Sequence, residues 1–143
     1  MNLKLAAVLL TSSVTLCVLL TLVPLHAQAR SVADGVYTQE QADRGKQPYA
    51  SKCASCHGSA LTGGELAPAL VGGTFMSNWT GLTAGDLLDR IRTTMPQDTP
   101  GSLSAALTAD ILAFMFSANA FPPGQTELTK DTSALTTIKL EPK

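Results

Sequence analysis

The sequence predicts an all-α domain, and three observations carry that prediction. Apolar residues recur at helical spacing at Ala84, Leu87, Leu88 and Ile91, and Ile111, Leu112, Phe114, Met115 and Phe116 follow in a second apolar run. Helix-start signals precede the helical segments: Thr38 with Gln41 three residues on, and Thr83 with Asp86. No stretch alternates apolar and polar residues in the manner of a strand. No internal repeat is visible.

The first segment is not part of the domain. MNLK is followed by an apolar run, Leu5–Leu25, and by Ala27-Gln28-Ala29. A short basic start, an apolar stretch and an A-x-A ending predict a secretory signal peptide over residues 1–29, cut after Ala29. The run of about 21 residues is also long enough to span a bilayer, so an uncleaved anchor is the alternative. Its Thr and Ser interruptions, Pro24 and the small-residue site favour cleavage. Cys17 follows Leu16 rather than a small residue, so it reads as an apolar member of the run and not as a lipid-attachment site.

Cleavage leaves about 114 residues, 30–143, enough for one domain. Its core is expected over about 38–120, with a tail at 121–143. Of the chain's 10 basic residues only Lys4 lies before Arg30, so nine remain against 11 acidic ones. That balance excludes a nucleic-acid binder, which needs a basic surplus or stripe. With seven aromatic residues among Trp, Tyr and Phe, the core is modest, and another apolar body is expected to help fill it.

The first helix is expected to start at Thr38 and run towards Cys53. Gly45 and Pro48 are unfavourable inside it, at about 1 and about 3 kcal/mol relative to Ala. A kink or break near Pro48 is therefore expected, with Gly45 admitting a close neighbour. Residues 58–81, rich in Gly, Pro, Ala and Thr, show no clear period and read as loop. The second helix is capped by Thr83 and ends by Thr94, because Met95-Pro96 follows. A loop over 97–103 leads to a third helix, opened by Leu107-Thr108-Ala109-Asp110 and running to about Asn119. Being apolar nearly all round, it should be well buried. Phe121-Pro122-Pro123-Gly124 stops it, and the tail either forms one short helix after Asp131 or wraps the surface.

The chemistry is concentrated in Cys53-Ala54-Ser55-Cys56-His57. C-x-x-C-H is a c-type haem attachment pattern. Cysteines at i and i+3 point the same way from one tight helical turn, so both sulfurs reach the two vinyl groups on one porphyrin edge. His57 can then reach the iron. Three rival readings are weaker. A structural zinc site wants four protein ligands, and after Ala29 the chain offers only these three Cys and His side chains. A thioredoxin-like motif wants a βαβ setting. A plain Cys53–Cys56 disulfide is possible in an oxidising compartment.

With these residues in view, the chain resembles class I c-type cytochromes over roughly Thr38–Asn119. The likeness rests on CASCH, the helix before it, the Gly-Pro-rich loop after it, TTMP and the apolar C-terminal helix. It implies three to five helices wrapped around one covalent haem. It also implies roles for Gly45 and Tyr49, eight and four residues before Cys53: the glycine lets two helices cross closely and the aromatic packs beside it. Pro48 departs from the family's pattern.

For the sixth iron ligand the chain offers Met76, Met95 and Met115. Met115 reads as core filler, and Met76 lies in a loop. Met95, restrained by Pro96, matches the family's Met-Pro element and is the favoured ligand, with Met76 the weaker candidate. A thioether opposite imidazole favours ferrous iron. The resemblance further implies that a proline carbonyl, matched by Pro68, accepts from His57 Nδ1. Trp79 either donates to a haem propionate or is an ordinary packed Trp. Arg90 and Arg92 either pair with a propionate or are solvated.

More narrowly, QADRGKQPYASKCASCHG, FMSNW, DLLDRIRTTMP, PGSLS and ANAFPPG are similar to the cytochromes that accompany pyrroloquinoline-quinone alcohol dehydrogenases. The expected function is therefore a periplasmic one-electron carrier and not an enzyme. It would pass electrons from a dehydrogenase to a respiratory acceptor. Redox proteins are its expected partners, with no nucleic acid, and a membrane only if the N-terminal segment is retained. The rival functions are an anchored subunit of a dehydrogenase complex and a gas-binding haem sensor, the latter needing an open sixth position.

Overall fold

In the computed structural model, which describes residues 30–141, the segment 1–29 read as a signal peptide, with Cys17, and residues 142–143 lie outside the described part. The chain begins with a two-residue strand, β1 (Arg30–Ser31), and a 3-10 turn (Val32–Asp34). Six α-helices follow among the described residues: α1 (Gln39–Lys52), α2 (Ala54–His57), α3 (Gly72–Trp79), α4 (Ala84–Thr94), α5 (Ala105–Ala118) and α6 (Thr132–Leu135). A second short strand, β2 (Ile138–Lys139), pairs in parallel with β1, Arg30 opposite Ile138. Two residues are too few to imprint a period-two pattern, so the sequence carries no trace of either strand. The fold is the all-α class expected.

α1 and α5 form the most extensive helix pair. They meet at Gly45, where a Cβ would collide with the Asp110 carbonyl. Below the crossing, the Tyr49 and Phe114 rings pack at 5.3 Å between centroids. Thr38 caps α1 through Gln41 N, but the Gln41 side chain does not reach back to complete a capping box. It is 2 % exposed and spends both its polar atoms on Leu128, donating to O at 2.9 Å and accepting from N at 2.6 Å. A buried amide is held best where both ends are satisfied. The expected break at Pro48 is corrected: α1 runs through it to Lys52. Proline removes a single helical N–H, and the burial of Gly45 and Tyr49 on either side holds the helix regardless.

The loop expected over 58–81 contains α3. Its Gly72-Gly73 start and eight-residue length hid the period, yet Phe75 is fully buried and Met76 and Trp79 are half-buried. α4 has the predicted capping box, with Asp86 Oδ2 accepting from Thr83 N at 2.8 Å. These bonds hold the Asp86 carboxyl below its usual pKa. Its apolar face, Ala84, Leu87, Leu88 and Ile91, is buried as the spacing predicts. α5 starts earlier than expected, at Ala105, because Ser104 Oγ accepts from Leu107 N.

The tail does more than wrap the surface. Leu128, Leu135, Ile138 and Leu140 are all core residues, as are Val32, Val36 and Tyr37 ahead of α1. The core therefore extends on both sides of the expected 38–120. Tyr37 Oη donates to Phe121 O at 2.6 Å, fastening the start of the tail. Among the described residues no helix is long and apolar enough to cross a membrane.

Candidate functional site

α1 ends at Cys53, whose N–H bonds Tyr49 O at 2.9 Å, and α2 starts at once. Within this turn, His57 N donates to Cys53 O at 2.9 Å. The two sulfurs thus come from one turn, and they are free thiols rather than a disulfide. Cys56 is exposed and Cys53 half-buried. Burial first, and Cys56 second, push the Cys53 thiol up to about 11. Two reduced sulfurs from one turn would each form a thioether by adding S–H across a haem vinyl C=C, a step that requires no oxidant.

His57 is buried at 9 % exposure. Its Nδ1 lies 2.9 Å from Pro68 O. A carbonyl only accepts, so Nδ1 carries the hydrogen and Nε2 keeps its lone pair for a metal. The loop that delivers Pro68 is folded by its own backbone. Gly63 N donates to His57 O, Gly64 N to Ala67 O, and Leu70 N to Leu61 O. At Gly63, with φ 73°, a Cβ would sit 2.7 Å from the Pro68 carbonyl carbon, so only glycine allows the loop to close this tightly. Tyr49 Oη donates to Gly58 O at 2.7 Å and fixes the loop's other end. Burial pushes the Tyr49 phenol up to about 12.

Asn119 is the residue that sequence reasoning missed. Its Oδ1 accepts from Gly72 N at 3.0 Å, and its Nδ2 donates to Leu70 O and Met115 O, both at 2.9 Å. It ties the far end of the same loop, and the start of α3, to the end of α5. Its only signal in the sequence is a lone amide closing an apolar helix.

Met95 is the C-cap of α4, its N–H bonded to Ile91 O. Met95, Trp79, Met76, Leu70, Phe114 and Ala54 pack on the core but stay partly exposed. Met115 is buried in α5 as filler. Arg90 is exposed. Arg92 is turned to the tail, donating from Nη1 to Thr132 Oγ1 at 3.4 Å. Its role at a propionate gains no support from that placement. The structure brings together Cys53, Cys56, His57 and Pro68. Met95 and Trp79, like Cys53, are half-buried against the core.

This donor set fits a haem. Among the described residues, no three His, Cys, Asp or Glu side chains converge as chelating ligands. The two thiols and the imidazole, offered from one turn, instead suit separate attachments to one porphyrin and its iron.

A family model described as cytochrome c oxidase, cbb3-type, subunit III matches residues 40–115, just over half of the chain. The chain belongs to this family. It is a c-type cytochrome, with haem c as its covalent cofactor and electron transfer as its work, in exchange with redox protein partners. No curated protein and no solved structure matches the cytochrome. The match spans nearly all of α1, the CASCH turn, the His57 loop, α3, α4, Met95 and most of α5, so Cys53, Cys56, His57, Pro68 and Met95 lie inside it and Asn119 just beyond it.

Proposed function

We propose that this cytochrome is an exported single-electron carrier, taking electrons from a dehydrogenase and handing them to a respiratory acceptor. Cys53 and Cys56 would hold the haem through thioether links, and His57 Nε2 and Met95 Sδ are the groups that would hold its iron. The haem supplies one-electron chemistry at iron; the chain's own residues decide how little has to move. The observation that carries this reading is the buried His57 with Nδ1 locked on Pro68 O. An imidazole whose tautomer and ring plane are set by a fixed carbonyl keeps its geometry in both oxidation states. Met95, held at a helix end and followed by Pro96, presents a thioether that favours ferrous iron.

The donor class is proposed from the likeness to cytochromes that serve quinoprotein alcohol dehydrogenases. The acceptor class is supported by the matched family's description, which names a cytochrome c oxidase subunit. Export is supported by the pattern of residues 1–29. N-terminal sequencing of the purified protein tests it: a start near Arg30 is expected, and an intact Leu5–Leu25 would make the protein an anchored subunit instead.

Met95→Ala tests the ligand reading. The variant is expected to lose the iron–sulfur charge-transfer band of the oxidised protein and to bind carbon monoxide when reduced. Its reduction potential should drop by a sizeable part of the roughly 0.8 V that axial ligands span. A wild-type protein that already binds carbon monoxide readily would point to a gas sensor.

The partner surface is proposed at the attachment edge, where Cys56 is exposed, and on the loop that follows His57, where Leu66 is 78 % exposed. From Cys53 to Gly85 the only charged residue is Glu65, and from Thr93 to Ala109 it is Asp98. An encounter over so uncharged a face gains little from electrostatic steering. Electron exchange with the partner is expected to stay within about threefold between roughly 0.05 and 0.5 M salt, where steered pairs change by about ten- to a thousand-fold. Leu66→Asp should slow the exchange by about tenfold, the loss of a small hot spot, at unchanged reduction potential.

A further inference from the structure

We infer that the carboxy-terminal segment 121–141 is a strap that positions α4, and through it Met95, relative to the haem-bearing turn. The inference rests on Met95 as axial ligand and names the residues that set its place.

The haem attachments and Met95 reside on different arms. Cys53, Cys56 and His57 continue from α1, whereas Met95 ends α4. Those two helices share no extensive direct packing. Their relative placement is left to α5 and to the strap, which touches both. On α1, Leu128 exchanges two hydrogen bonds with Gln41, and Glu127 pairs with Arg44 at 2.8 Å.

On α4 the strap grips both ends. At the start, Leu140 N donates to Leu82 O at 2.9 Å, Gly81 N donates to Leu140 O at 3.1 Å, and Thr83 bridges Lys139. Next to them, Gly85 lies flat on α6: a Cβ there would meet Thr132 O at 2.9 Å and Thr136 N at 3.1 Å. In the last turn, three residues before Met95, Arg92 donates to Thr132 Oγ1. Leu135 and Leu140 are fully buried beneath these contacts. A helix is stiff along its axis, so a push at Gly85 or a release at Arg92 is carried to its end about 15 and about 5 Å away, at 1.5 Å per residue. Gly85 and Arg92 are thus positioning residues, acting on the iron only through Met95.

Gly85→Ala separates the strap from α4 while leaving α4 a better helix by about 1 kcal/mol. Thr132→Val, nearly isosteric, removes the Arg92 hydrogen bond alone. Both are made in the holoprotein, beside Ser104→Ala, which uncaps α5 and lowers stability without touching the strap. The readouts are the charge-transfer band and carbon monoxide binding to the reduced form, with thermal midpoint and haem content in parallel.

Haem content should stay at wild-type level in all three variants. Gly85→Ala is expected to weaken the band and raise carbon monoxide affinity by about tenfold, which corresponds to about 1.4 kcal/mol. Thr132→Val should act in the same direction by a few-fold, and Ser104→Ala should lower the midpoint with neither change. If Gly85→Ala and Thr132→Val keep the band and stay inert to carbon monoxide while Met95→Ala does not, the strap is ordinary scaffold and the inference falls alone. If Met95→Ala also keeps the band, the ligand reading fails, and the strap's role at the iron fails with it.

Discussion

Gly45→Ala is expected to remove most of the cytochrome's stability. The α1–α5 crossing is the largest helix contact in the fold, and Gly45 is its closest point. A methyl group there meets the Asp110 carbonyl, which is backbone inside a helix and cannot rotate aside. The helices must separate, which pulls Tyr49 from Phe114 and loosens the Arg44–Asp110 pair at 3.1 Å. That pair is exposed and adds little by itself, so the cost lies in the lost packing. Alanine is the better helix former by about 1 kcal/mol, which offsets only part. A net loss of about 4 kcal/mol or more is expected, in the range reserved for changes that no local shift can absorb. Denaturant unfolding followed by far-UV circular dichroism checks it. A variant within about 1 kcal/mol of wild type would mean that the crossing is looser than the structure has it.

The haem-free Cys53→Ser, Cys56→Ser protein is expected to be largely unfolded. Met76, Trp79, Met95, Leu70 and Phe114 pack on the core but remain partly exposed. A porphyrin laid against them removes apolar surface from water at about 25 cal/mol per Å². With Met95 as the proposed second ligand it would also join the His57 arm to the Met95 arm, which in the chain alone are connected through α5 and the tail. Without it, the loop around Pro68 stands on its backbone bonds and on single hydrogen bonds from Tyr49, His57 and Asn119, and a domain of this size has little stability in reserve. Far-UV circular dichroism with a denaturant titration reads the outcome: a broad, weak transition is expected. A sharp transition with native-like helix content would show that the chain holds its own core.

How much of this was legible in the sequence differs from element to element. Cys53, Cys56 and His57 were, because attachment chemistry is local and i, i+3 spacing alone aims both sulfurs. α4 was, because its cap and its apolar period agree. Gly45 stood out as a cost that only a close neighbour could explain. The length of α1 was not, because Pro48 argues locally for a break and the packing that overrides it comes from α5, some 60 residues away. Gln41 fitted a capping box, yet its amide goes to Leu128, 87 residues on. α3 was hidden because eight residues opening on two glycines carry too little period. Asn119 and Arg92 look like ordinary polar side chains until their partners, Gly72, Leu70 and Thr132, are placed beside them.

The sequence by itself determined the helical class, the three-residue donor set and the glycine at the crossing. Each depends on spacing within one turn or one helix. Tertiary structure alone decided that the tail belongs to the core, that it clasps β1, and that it links the helix leading to His57 with the helix ending at Met95. Those arrangements join segments more than 40 residues apart. Their energy comes from burial and from pairing buried polar groups, and neither leaves a periodic mark on the chain.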